Sequence, residues 1–242
     1  MTPEVFDSET ALAAALARRV ADLVVRQPDV VLGFPTGRTP LALYAELVSL
    51  AREEIIDWSR VRTFNLDEFV GLGNGAPGSY RSFMQERLFR HVNLKAANIG
   101  FPDGRAADLD DECRRYEQAI AAAGGIDLLI LGIGANGHIG FNEPGDELVA
   151  RTHRVKLAES TRRDNAALFG GDHARVPREA LSMGMGTILK AATLILIATG
   201  VRKAQCVERT IRGPVTTRLP ASFLQLHRHV ELYLDRAAAS RL

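Results

Sequence analysis

The residues best suited to chemistry lie in four short segments: PTGRTP (35–40), DEFVG (67–71), GANGHIGFNEP (134–144) and TGVRK (199–203). GANGHIGFNEP is the densest. Its glycines permit a tight excursion of the chain, and they set His138 and Glu143 on one irregular loop with Asn136 nearby. A histidine with a carboxylate partner is a natural acid–base unit, because the carboxylate fixes the imidazole tautomer. A lone histidine is more often structural, but Asn136, His138, Asn142 and Glu143 cluster among glycines, which favours the functional reading. Asp67 offers a second carboxylate. Partly desolvated at the end of a strand, such a group rises from a pKa of about 3.9 toward that of a useful base. Taken alone, a plainer reading is favoured, in which Asp67 caps the next turn and Glu68 is solvated. In PTGRTP, successive N–H groups of Thr36, Gly37, Arg38 and Thr39, with a helix dipole behind them, could cradle a phosphate. Lys203 could reach the same anion as a flexible point charge, although a surface lysine and a common Thr-Gly turn explain these two segments just as simply.

Each segment follows a run that reads as a strand. VVLGF (30–34), IDLLILGI (126–133) and TLILIAT (193–199) are almost wholly apolar, VRTFNL (61–66) reads as the strand after the first of them, and HVELYL (229–234) reads as a last strand. Helical spacing covers 9–26, closed by Pro28. Further helices are expected from Pro40 with Thr39 as N-cap, from Ser79 to about His91, over 108–123 ending at Gly124-Gly125, and from about Arg202. Apolar strands alternating with amphipathic helices imply an α/β fold, a mainly parallel twisted sheet with helices on both faces in a single domain over 1–242. Ligands in such folds bind outside the carboxyl ends of the strands, and it is there that the four segments fall.

The formal net charge of +1 argues against a nucleic-acid or membrane-surface partner. No apolar run approaches the roughly 18–20 residues that span a bilayer. The acidic N-terminal stretch, with Glu4, Asp7 and Glu9, does not look like a signal peptide, so a cytoplasmic location is expected. Cys113 and Cys206 lie far apart without metal-ligand spacing and read as reduced, packed thiols.

Together the segments resemble the glucosamine-6-phosphate deaminase family, within the group that also holds 6-phosphogluconolactonases. The resemblance runs through LGFPTGRTPLALYAELV (32–48), TFNLDEFVGL (63–72), SYRSFMQERLF (79–89), LGIGANGHIGFNEPG (131–145), RVPREALSMGMGTILKA (175–191) and LPASFLQLH (219–227), in the family's order. The GHIGFNEP stretch is the most specific, since lactonases of this fold resemble the loop only as far as Gly-His. The resemblance implies an isomerisation and deamination without metal or cofactor. His138, backed by Glu143 and Asn136, would open the pyranose ring of the amino sugar. Asp67 would carry a proton from C2 to C1, and hydrolysis would leave fructose 6-phosphate and ammonia. It also implies a mobile lid over about 157–180 and a sugar phosphate as the partner, with the protein a monomer or a homo-oligomer.

Departures from the family pattern qualify this. Asn136 stands where many members have Asp, so Glu143 must do more of the orienting of His138. Asp146-Glu147 and His153-Arg154-Val155 replace the effector-binding pattern of regulated members. The lid's usual arginine is Ala167, and the phosphate loop carries Arg38 at a position that is usually small. Arg163, one helical turn before Ala167, is the expected replacement on the phosphate, with Arg38 as the other candidate. Competing readings are a 6-phosphogluconolactonase, a deaminase for the galactosamine epimer, and a non-catalytic sugar-phosphate sensor. A sensor would need the phosphate site but not Asp67.

Overall fold

The computed structural model describes residues 1–242. A short strand β1 (Pro3–Phe6) leads into α1 (Glu9–Arg26), over the residues that the periodicity predicts. Ser8 caps α1 by accepting the Ala11 N–H, and Leu12, Leu16, Val20 and Val24 form its buried stripe. Then follow β2 (Val31–Phe34), α2 (Leu41–Arg52), β3 (Arg62–Asn65), β4 (Asp67–Phe69), α3 (Tyr80–Arg87), β5 (Ile99–Gly100) and α4 (Leu109–Ala122). The second half holds β6 (Leu128–Gly132), β7 (His153–Lys156), α5 (Glu159–Asn165), β8 (Glu179–Ser182) and α6 (Met185–Ile188). It ends with β9 (Thr193–Ala198), α7 (Ala204–Arg212) and β10 (Val230–Asp235).

Seven strands form one parallel sheet in the order β1-β10-β9-β6-β2-β3-β5. Successive residues of β6 serve opposite faces. Leu128 and Ile130 join a core shared with α1 and α2, whereas Leu129 and Leu131 join one shared with α4 and α7. Burial on both sides is why the strand is apolar throughout rather than alternating. From β2 the chain winds outward to β3 and β5, then returns to β6 on the other side of β2 and winds toward β10. This reversal opens a crevice above the carboxyl ends of β2 and β6, where a doubly wound sheet takes its ligand.

A smaller antiparallel sheet, β4-β8-β7, sits over that end. It aligns Asp67 with Ser182, and Ser182 with His153. The expected lid is the excursion between β7 and β8, and its neck is pinched by Leu157 N–H donating to the Arg178 carbonyl at 2.9 Å. Arg162 reaches back from α5 to the carbonyls of His173, Ala174 and Val176, so the excursion is braced internally.

Three local expectations differ. Helix α2 begins at Leu41, and neither Thr39 nor any other side chain caps it, because a turn closed by Leu41 N–H to the Arg38 carbonyl occupies the preceding residues. The helix after Ser79 stops at Arg87, where Leu88 leaves helical geometry, and resumes only as a 3₁₀ turn over Phe89–His91. Strands β1, β4, β5, β7 and β8 are too short for a periodic signal, and their pairing partners are distant in sequence. Both cysteines are buried, free thiols in helices, and no helix is long and apolar enough to cross a membrane.

Candidate active site

Asp67 and Glu68 open β4 and are both buried, at 6% and 1% exposure, which overturns the reading of Glu68 as solvated. Glu68 lies at the start of α3, where its carboxylate accepts the N–H groups of Phe69, Tyr80 and Arg81 and the Ser79 hydroxyl, at 2.7–3.0 Å. Helix N-termini leave such N–H groups unpaired and favour an anion. Asp67 has no such donors. Burial, and then the charge of Glu68 beside it, push its carboxyl up to about 8. Three buried tyrosines, Tyr44, Tyr80 and Tyr116, lie within reach of its charge. Burial first, and the Asp67 charge next, hold all three phenols far above their ordinary value, so they act as neutral hydroxyls.

Across the crevice, the loop after β6 presents His138. Its ring lies so close over Gly134 that a Cβ there would meet it at 2.4 Å, so only glycine fits. Asn136 bridges the loop, donating from Nδ2 to Glu143 Oε2 at 2.9 Å and accepting the His138 N–H on Oδ1 at 3.1 Å. His138 Nδ1 is 3.5 Å from Glu143 Oε2, an ion-pair distance rather than a well-formed hydrogen bond. Burial alone would raise the Glu143 carboxyl. His138, Thr161 and Asn136 together outweigh that and hold it below its usual value. Gly140, on the same loop with φ 57°, directs its missing Cβ toward Ser182 Oγ, Asp67 Oδ2 and Asn142 Nδ2, which brings the loop against the Asp67 side.

The phosphate loop follows β2, with Gly37 at φ 101° making the turn that a side chain would strain. The Thr36 hydroxyl approaches Tyr80. Lys203 lies half-buried between Arg38 and Asp164. Burial lowers its pKa, Cys206 and Asp164 act to raise it, and the like charges of Arg202 and Arg38 lower it further. Two cations held together in this way are stabilised by an anion placed between them. Lys203 thus feels the charge of the loop that carries Thr36, Gly37, Arg38 and Thr39.

Arg163 does not. It is 69% exposed and its partner is Glu159, at 3.9 Å. Thr161 and Asn165, at i and i+4, are the residues of α5 that face inward; Thr161 reaches Glu143 and Asn165 reaches Tyr80. Arg163 sits two residues from each, close to half a turn away. The chain passes into a 3₁₀ turn at Ala166, so the assumed one-turn relation between Arg163 and Ala167 is broken as well.

Sequence reasoning missed Glu68, Tyr80, Thr161 and Asn165. Ser79 as a helix start, with a carboxylate eleven residues before it, was the signal available for Glu68. The other three residues depend on contacts between distant segments. A surface cleft of about 620 Å³, lined by Gly73, Arg81, Phe101, Arg105 and Arg115, holds none of these residues. No three His, Cys, Asp or Glu side chains converge where they could hold a metal.

The model of the glucosamine-6-phosphate isomerase and 6-phosphogluconolactonase family matches residues 5–234. A glucosamine-6-phosphate deaminase of Halothermothrix orenii is 50% identical over 223 residues, 92% of either chain. One of Thermoanaerobacter sp. (strain X514) is 46% identical over 229 residues, 93% of this chain and 90% of that one. Among solved structures, a monomeric glucosamine-6-phosphate deaminase superposes over the whole of both chains with a TM-score of 0.96 at 41% identity. A 6-phosphogluconolactonase of Trypanosoma cruzi shares the fold at a TM-score of 0.78 and 19% identity.

Proposed function

We infer, from the premise that the chain belongs to the glucosamine-6-phosphate isomerase and 6-phosphogluconolactonase family, that it converts glucosamine 6-phosphate and water into fructose 6-phosphate and ammonia. The observation that carries this reading is Asp67, a buried carboxyl without donors, raised to about 8 and met at Gly140 by the loop that carries His138 and Glu143. A lactonase needs water activation alone, which the histidine loop could supply. A second, tuned carboxylate suits a reaction that moves a proton between carbons.

In this reading the phosphate lies on the N–H groups of Thr36 to Thr39, with Arg38 and Lys203 as its cations. His138, its tautomer set by Glu143, takes the C1 hydroxyl proton and gives one to the ring oxygen, and the sugar opens to the aldehyde. Arrival of the substrate's ammonium group favours the ionised form of Asp67 by charge. The carboxylate then removes the C2 proton while the C1 carbonyl oxygen takes one from the ammonium group, and it returns its proton to C1 as the resulting enolamine collapses to a C2 imine. Addition of water to that imine expels ammonia and leaves the ketose. The tyrosines around Asp67 keep the site dry, so the proton is delivered to C1 rather than lost to solvent.

The deciding experiment incubates the protein with glucosamine 6-phosphate, galactosamine 6-phosphate and 6-phosphogluconolactone, following ammonia and acid release. Ammonia from glucosamine 6-phosphate, with proton retention at C1, is expected. Acid from the lactone without ammonia from either sugar overturns the reading, and ammonia from the galactosamine epimer alone reassigns the substrate.

A further inference from the structure

Glu143 is held from two directions. Its own loop supplies Asn136 and His138 to Oε2. Its other oxygen, Oε1, accepts the hydroxyl of Thr161, which belongs to α5 and is 2% exposed. Thr161 is itself fixed at the far side of one helical turn. Its carbonyl accepts Asn165 Nδ2 at 2.9 Å, and Asn165 Oδ1 accepts the Tyr80 hydroxyl at 2.7 Å, beside Thr36. Without a donor on Oε1, a carboxylate on a glycine-rich loop is free to rotate about its last torsion, which is broad and nearly two-fold. At 3.5 Å, His138 is too loosely engaged to prevent that rotation, and the single Asn136 bond to Oε2 at 2.9 Å leaves the carboxylate plane able to swing about it.

We propose that Thr161 is a positioning residue: its hydroxyl occupies Glu143 Oε1 and so keeps Oε2 turned to His138, from a helix whose next turn is anchored on Tyr80 beside the phosphate loop. The proposal rests on the reading that His138 and Glu143 open the ring, and it adds a residue that touches neither the sugar nor the histidine. Thr161 thereby acts on the rate of ring opening and not on the capture of the sugar phosphate, which separates its effect on kcat from any on KM. Only the hydroxyl matters for this role, so serine can replace it and valine cannot.

The test is a double-mutant cycle on glucosamine 6-phosphate with T161V, T161S, E143Q and T161V/E143Q, measured as ammonia release. T161V is expected to lower kcat about tenfold with KM within about twofold, by analogy with the 10–100-fold cost of removing a partner behind a ligating side chain. T161S should stay within about threefold of the parent, and T161V should change the E143Q enzyme by less than about twofold. Parent-like kcat in T161V, or an equal loss in the E143Q background, overturns the proposal. If T161V does not fold, N165A, which keeps the hydroxyl but removes its anchor, is expected to lose kcat in the same direction, and parent-like kcat there overturns it instead. Full activity in E143Q would instead sink the ring-opening reading itself, a result separable from the behaviour of Thr161.

Discussion

Asp67 and Glu68 are neighbours with the same functional group and nearly the same burial, yet the fold treats them oppositely. Glu68 accepts four donors, three from the start of α3 and one from Phe69 beside it. Asp67 is buried with no donor and with neutral phenols within reach of its charge, and that charge is disfavoured. Burial alone therefore does not set a carboxyl's behaviour; the supply of donors does. Glu68 also supplies part of the raised Asp67 value, so the satisfied anion helps make its neighbour a base. The cations differ in a similar way, since the charge of Arg38 reaches half-buried Lys203 whereas Arg163 pairs at the surface with Glu159.

The largest expected effect comes from making Asp67 permanently neutral. Asp67→Asn should cut ammonia release by a factor of roughly 10²–10⁴, the usual cost of losing a general base, while calorimetry shows substrate still bound. The same variant has a stability signature. The folded protein holds the Asp67 proton up to about pH 8, whereas an unfolded chain releases it near pH 4. The parent therefore loses stability as pH rises through that window. Asp67→Asn escapes this loss, and urea unfolding should find it more stable than the parent at pH 9, by about 1 kcal/mol or more, with the gap closing toward pH 4. A variant less stable than the parent at pH 9 would show that Asp67 is not strained by its charge.

Glu68→Ala attacks the other half of the comparison. It strands the N–H groups of Tyr80 and Arg81 and the Ser79 hydroxyl, and should cost about 3 kcal/mol in urea unfolding, at 1–3 kcal/mol per stranded buried donor with partial relaxation. A loss below about 1 kcal/mol would mean that water replaces the carboxylate.

Next in size is the cation pair. Arg38→Ala should raise KM for glucosamine 6-phosphate about tenfold, equivalent to about 1.4 kcal/mol, and Arg163→Ala by less than about threefold. The reverse ranking would require α5 to rotate when substrate binds.

The smallest effect is the most specific. Removing the Glu68 charge with Glu68→Gln lowers the Asp67 pKa, because that charge raises it. The acid limb of kcat/KM, expected near pH 8 in the parent, should move toward lower pH by less than the burial contribution, the larger cause. The substrate's own amine titrates identically in both enzymes, so an unmoved limb would break the link between the two carboxylates.

What the sequence determined by itself is the sheet and the address of the site. Runs such as Leu128–Gly132 and Thr193–Ala198 are apolar on both faces, which only a covered parallel strand explains, and polar glycine-rich segments must then fall at strand ends. Asp67, Asn136, His138 and Lys203 were legible for that reason, since position along one chain sufficed. Local signals also placed α1 by its periodicity and by Pro28 just beyond its end. The tertiary structure alone decided the environments. The donors to Glu68 come from the start of α3, eleven to thirteen residues on, and Thr161 meets Glu143 from a separate excursion eighteen residues away. Arg163 and Thr161 are two residues apart on one short helix. Which of them faces the crevice depends on the rotation of α5, set by Asn165 on Tyr80 and by Arg162 on the carbonyls of 173–176. Such phases and partners arise from contacts between segments distant in sequence, and a local pattern holds no record of which segments will meet.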